Sequence, residues 1–140
     1  MVIWNDKLTT QDFYMLSKDN YVVKMVNSID NVEENFDSVF HVKELFYSNF
    51  NFYYDIMNKY FDKGNGCIVI GKVLLLIVPE FTFKNVLKAI FSLLDNLRLY
   101  NINKVVISKE DIQKGNKKFN FNSLVKDYLT DDNLKVLVIQ

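Results

Sequence analysis

The sequence predicts an all-α fold: one helical domain over residues 1–140, wrapped around a single central hydrophobic helix. Three observations predict it. Helical periodicity recurs along most of the chain, and the twelve-residue run "CIVIGKVLLLIV" (Cys67–Val78) is apolar on every face. Only two short stretches are rich enough in β-branched residues to be strands. A helix apolar all round belongs at the centre of a bundle, covered by its neighbours.

The elements follow in order. The opening "MVIWNDKLTTQD" has neither the basic nor the apolar region of a signal peptide. Tyr21, Val22, Met25, Val26 and Ile29 fit the end of a first helix. Val32, Phe36, Val39, Phe40 and Phe46 fit a second, from about Glu33 to Tyr47. A third runs from about Asn49 to Phe61, with Phe50, Tyr53, Tyr54, Met57, Tyr60 and Phe61 on one face. It stops at "DKGNG", where Gly64 and Gly66 tolerate the left-handed conformations of a helix end.

The central run comes next, its length exceeding the usual strand, and Pro79 ends it because proline restricts its predecessor and donates no amide. Thr82–Leu99 holds the i, i+3, i+4, i+7 pattern for four turns, with Thr82 as N-cap. Ser108-x-x-Asp111 resembles a capping box opening one turn that Gly115 closes. Phe121, Leu124, Val125 and Tyr128 form a last short face. "KVVIS" (Lys104–Ser108) and the final "LKVLVIQ" are read as extended connections or helix ends, since two isolated strands make a marginal ribbon.

Composition narrows the function. Lys+Arg and Asp+Glu number 17 each, and every basic residue but Arg98 is lysine, so nothing favours nucleic acid as a partner. Cys67 is the only cysteine and His41 the only histidine, which excludes a disulfide framework and a Cys/His metal site. No cofactor is expected. The lone thiol fits a reducing, intracellular compartment. In its apolar run, it reads as inert packing, not as a nucleophile. No run approaches the roughly 20 apolar residues of a membrane span. The use of Asn, Lys, Phe, Tyr and Ile suggests an AT-rich genome.

Gly66-x-x-x-x-Gly71-Lys72 imitates a phosphate-binding loop. Such a loop needs a Ser or Thr after the lysine to hold magnesium, and here Val73 follows. Its interior, Cys67-Ile68-Val69-Ile70, is poorly suited to a nest of amides converging on an anion. The pattern therefore reads as core, and an α/β nucleotide-binding protein is kept as a distant alternative.

The segment "NKYFDKGNGCIVIGKVLLLIV" resembles the Bcl-2 family motif "ELF-x-DG-x-NWGR" that leads into a buried fifth helix. Tyr60-Phe61 stand for Leu-Phe, Asp62 to Gly64 for the turn, and Gly71-Lys72 for Gly-Arg. The spacing is about three residues longer, Val69-Ile70 replace Asn-Trp, and Lys replaces Arg. "YYDIMNKYF" is similar to the "LYDIM" stretch of the poxvirus apoptosis inhibitors of the myxoma type. The resemblance covers Phe50–Leu99 in detail and the rest in architecture.

That resemblance implies binding, not catalysis: a viral inhibitor of host apoptosis holding the BH3 helix of a pro-apoptotic partner of the Bax, Bak or Bim type. It implies a groove floored by Phe50, Tyr53, Tyr54 and Met57, with Phe40 from the preceding helix. Ile70, Gly71, Lys72 and Val73 would form its edge, Lys72 pairing with an Asp of the ligand. It also implies the host cytoplasm, with recruitment to the mitochondrial outer membrane through partners, and allows a homodimer. The alternative within the family is an immunomodulator that binds innate-immune signalling adaptors.

Overall fold

A computed structural model describes residues 1–5, 10–113, 116, 118–131 and 133–139. It overturns the all-α expectation, because the chain builds a six-stranded sheet covered by helices on both faces. The strands are β1 (Val2–Asn5), β2 (Tyr21–Val26), β3 (Gly66–Ile70), β4 (Val73–Ile77), β5 (Lys104–Ser108) and β6 (Lys135–Ile139). Their order is β1-β6-β5-β2-β4-β3, parallel throughout except for the antiparallel β3.

The run expected to be a central helix is the β3–β4 hairpin. Gly71 and Lys72 close it as a two-residue turn, with Gly71 at φ 58° supplying the positive φ that the first central position of a II′ turn requires. The apolar continuity that suggested a helix has another cause. Leu74 and Leu76 enter the core on one face of the sheet, while Val73, Leu75 and Ile77 enter the core on the other. A strand buried on both faces needs no polar alternation, so its sequence has no period to read. The Tyr21–Ile29 helix is likewise replaced by β2 and a single 3-10 turn, Ile29–Asn31. "KVVIS" and the last stretch are strands β5 and β6.

The helices are α1 (Thr10–Leu16), α2 (Val32–Asp37), α3 (Val42–Ser48), α4 (Phe50–Lys63), α5 (Phe83–Leu99), α6 (Lys109–Gln113) and α7 (Phe121–Tyr128). The helix expected over 33–47 is two, broken where His41 takes a left-handed conformation at φ 56°. The α4 and α5 expectations hold. Gly64, at φ 96°, stops α4 and donates to Tyr60 O, and the Thr82 hydroxyl accepts from Asn85 N at 3.1 Å. Gly66 instead opens β3. The Ser108 hydroxyl accepts from Asp111 N at 3.3 Å, as the capping box predicts. The Gly115 stop lies outside the described residues.

Two cores result. Helices α5, α6 and α7 pack on one face against Val23, Met25, Leu74, Val105 and Val136. Helices α1 to α4 cover the other through Phe13, Phe36, Phe46 and Met57, against Val22, Val26, Leu75 and Val106. Each fully buried Val, Leu, Ile, Phe or Met contributes about 1.5–3 kcal/mol.

Candidate functional site

The two faces are reached by chain segments that leave adjacent strands in opposite directions. From β2 the chain passes to the α2–α4 face, whereas β4 and β5, on either side of β2, send theirs to the α5–α7 face. Such a switch point opens a crevice at the carboxyl ends of the strands.

Here the strands also splay. β2 pairs with β4 over Val22–Val26 but with β5 only over Tyr21–Val23. Val22 N donates to Lys72 O at 2.9 Å and Val26 O accepts from Val78 N at 3.0 Å, so these alternate residues face β4. Met25, out of phase with them, points its N–H toward the β5 side, where the ladder has ended. The Asp111 carboxylate of α6 fills that place, accepting from Met25 N and from Lys24 Nζ, both at 3.1 Å.

Lys24 is only 7% exposed, with its ammonium 5.2 Å from the centroid of the Phe13 ring. Beside it lies an open cleft of about 290 Å³ whose described wall has no apolar residue: Lys24, Asn27, Asn31, Glu34, Asn35 and Ser38. Asn27 Nδ2 donates to Val78 O at 2.9 Å and ties the exits of β2 and β4 together. Asn35 Nδ2 donates to Asn31 O at 2.8 Å, and the Ser38 hydroxyl to Asn35 O at 2.9 Å. The cleft thus offers carboxamides, a hydroxyl, a carboxylate and part of the buried Lys24 side chain.

The residues expected to line one groove are dispersed. Phe50 and Tyr54 are exposed on α4 and stack with centroids 5.2 Å apart, beside Tyr47 of α3. Tyr53 is half-buried and stacked on Phe46, and Met57 is fully buried, so it is core and offers no groove floor. Ile70 and Val73 are also fully buried, which removes them from any edge. Gly71 and Lys72 are exposed in the hairpin turn. Lys72 Nζ donates to Asp19 O at 3.3 Å and sits 5.8 Å from the Tyr21 ring. Phe40 packs edge-on against Tyr14 and beneath Lys18, among neighbours that Phe50 and Tyr54 do not share.

The phosphate-loop pattern has no cradle, since it runs along β3 and around a hairpin into another strand. Cys67 is buried, and burial pushes its thiol up to about 12, partly opposed by a hydrogen bond with Asn96. His41, exposed, pairs instead with Glu44 at 3.1 Å. Among the described residues no three His, Cys, Asp or Glu side chains could hold a metal ion together. None of their helices is long and apolar enough to cross a membrane.

Lys24, and any role for Asp111 beyond the capping box, escaped the sequence reading, though a signal for the lysine was present. "YVVKMV" carries one lysine in an otherwise apolar, β-branched run, which in a strand places an ammonium on a buried face. No family model matches the chain, and neither a curated protein nor a solved structure matches it.

Proposed function

We propose that the protein is a non-catalytic binding module whose ligand is a hydroxyl-rich polar small molecule, of the nucleoside or sugar class, held at the carboxyl end of β2. The observation that carries this reading is the Lys24 side chain, nine-tenths buried, in the wall of a cleft whose described lining is polar, at the point where β2 and β5 part. Lys24 and Asp111 offset each other, and Glu34 adds a negative charge, so a polyphosphate is disfavoured. Paired carboxamides and a hydroxyl suit a ligand that both donates and accepts. Calorimetric titration with nucleosides, nucleoside monophosphates and monosaccharides tests this. Binding lost in Asn35→Leu supports it; no heat from any of them at millimolar concentration sinks it.

A second reading is supported by the exposure of Phe50 and Tyr54: a helical segment of a partner protein lies against α4. The resemblance supplies a BH3 helix as that segment, with signalling adaptors as the alternative, and neither needs a helical bundle to be tested. BH3 peptides titrated against wild type and Phe50→Ser decide it. Silence from the peptides, with heat from an adaptor domain, gives the face to the alternative.

A further inference from the structure

The aromatic face of α3 and α4 borders an open cleft of about 320 Å³ whose wall includes Phe46, Tyr47, Phe50 and Tyr54. Tyr47, Phe50 and Tyr54 form a ladder of near-parallel rings, with centroids 6.1 and 5.2 Å apart. Tyr47, Phe50 and Tyr54 are all exposed, and exposed apolar side chains gathered beside polar groups are the kind of surface that docks a partner.

The rim says which partner it fits. The charged residues of the described cleft wall are Asp30 and Glu33, both acidic. Residues 28–48 carry five acidic side chains against one lysine, in a chain whose overall charge is zero. That lysine, Lys43, is already held by Asp37 at 3.1 Å and Glu33 at 3.6 Å. Tyr47 Oη donates to Glu33, while the Asp30 carboxylate makes no ion pair or hydrogen bond among the described residues. A second copy of the chain, docking by two-fold symmetry, would set acidic rim against acidic rim. The described wall also comes wholly from helical elements, so no strand edge is offered for β-augmentation. An occupant must then satisfy its own backbone, as a helix does.

We infer that this cleft receives a basic amphipathic helix of a partner protein, its bulky apolar stripe on the Tyr47–Phe50–Tyr54 ladder and its Lys or Arg side chains on Asp30 and Glu33. This rests on the second reading above and reverses the charge that an Asp-bearing ligand would bring. The probes are two designed helical peptides of 18 residues with the same Leu/Phe stripe, one flanked by Lys and Arg, the other by Glu. Fluorescence anisotropy on the full chain is expected to show the basic peptide binding about tenfold more tightly at low ionic strength, with the gap closing in salt. Phe50→Ser should weaken binding of the basic peptide by about tenfold. Asp30→Lys, an exposed substitution that leaves the core intact, should reduce or invert the preference. Equal binding of both peptides overturns the charge assignment and leaves the docking reading standing. Binding of neither overturns both, and a dimer dispersed by Phe50→Ser makes a second copy the occupant and overturns the inference.

Discussion

Asp111 accepts the Met25 amide hydrogen at 3.1 Å, in the place where the β2–β5 ladder has already ended. The same carboxylate holds Lys24 at 3.1 Å, so one side chain from α6 closes a gap in the sheet and neutralises a buried ammonium. Removing it leaves that ammonium and an amide without these acceptors. Asp111→Ala is expected to lower unfolding free energy by about 3 kcal/mol, within the range for breaking a buried ion pair. Lys24→Met should cost less, because the methionine keeps the apolar stem and Asp111 keeps the Met25 amide. Urea unfolding of both variants checks the asymmetry; equal losses would contradict it.

Gly66 is fixed by Tyr60. A Cβ added there would overlap the Tyr60 ring, which lies against the first residue of β3. Gly66→Ala therefore forces that half-buried ring aside and should cost about 1–3 kcal/mol, as overpacking does. The cost should shrink in a Tyr60→Ala background, because the obstacle is gone. Thermal unfolding of the four chains gives the coupling.

What the sequence disclosed depended on whether an element has one wet face. α5 shows it: Val86, Ile90, Leu93 and Leu97 are buried while Lys84, Lys88 and Asp95 are exposed, so the period of 3.6 is visible. α4 was legible for the same reason, as was the Gly64 stop. β2 and β4 were not, because both faces are covered and no alternation survives. β5 and β6 had the β-branched content of strands, but what makes them stable is β2 between β5 and β4, a pairing that no local pattern announces. The site suffered likewise. Phe50 and Tyr54 face solvent, whereas Met57, on the same stripe, is the one residue of α4 that is fully buried and so belongs to the core. Lys24 and Asp111 lie 87 positions apart and meet only once the sheet is assembled.

Thr82 begins α5 with an extended backbone, and its hydroxyl accepts from Asn85 N at 3.1 Å. Asn85 Nδ2 reaches back to Glu80 O at 2.9 Å, so the loop after β4 and the first helical turn brace each other. Thr82→Ala should cost about 1 kcal/mol, and Thr82→Asp should restore most of it, since a carboxylate caps and also favours the positive end of the helix. Equal unfolding midpoints for wild type and Thr82→Ala would show that the cap contributes nothing.

Cys67 gives the fold a dependence on alkaline pH. Burial raises its thiol from an ordinary 9.0 to about 12, with the Asn96 hydrogen bond pulling the other way. The folded chain thus keeps a proton that the unfolded chain releases above pH 9. Between those values the unfolded state binds fewer protons, so stability is intact below pH 9 and falls as pH rises toward 12. The slope from this one group approaches about 1.4 kcal/mol per pH unit at most. Tyrosine and lysine titrate in the same range, so the measurement is the difference between wild type and Cys67→Ala. Urea unfolding from pH 8 to 11 should show the wild type losing stability faster than the variant. In the folded protein at pH 8 the thiol should react with a disulfide reagent only as fast as the chain opens. Parallel pH profiles for the two chains, or rapid labelling of the native protein, would place Cys67 at the surface and contradict its burial beneath α5.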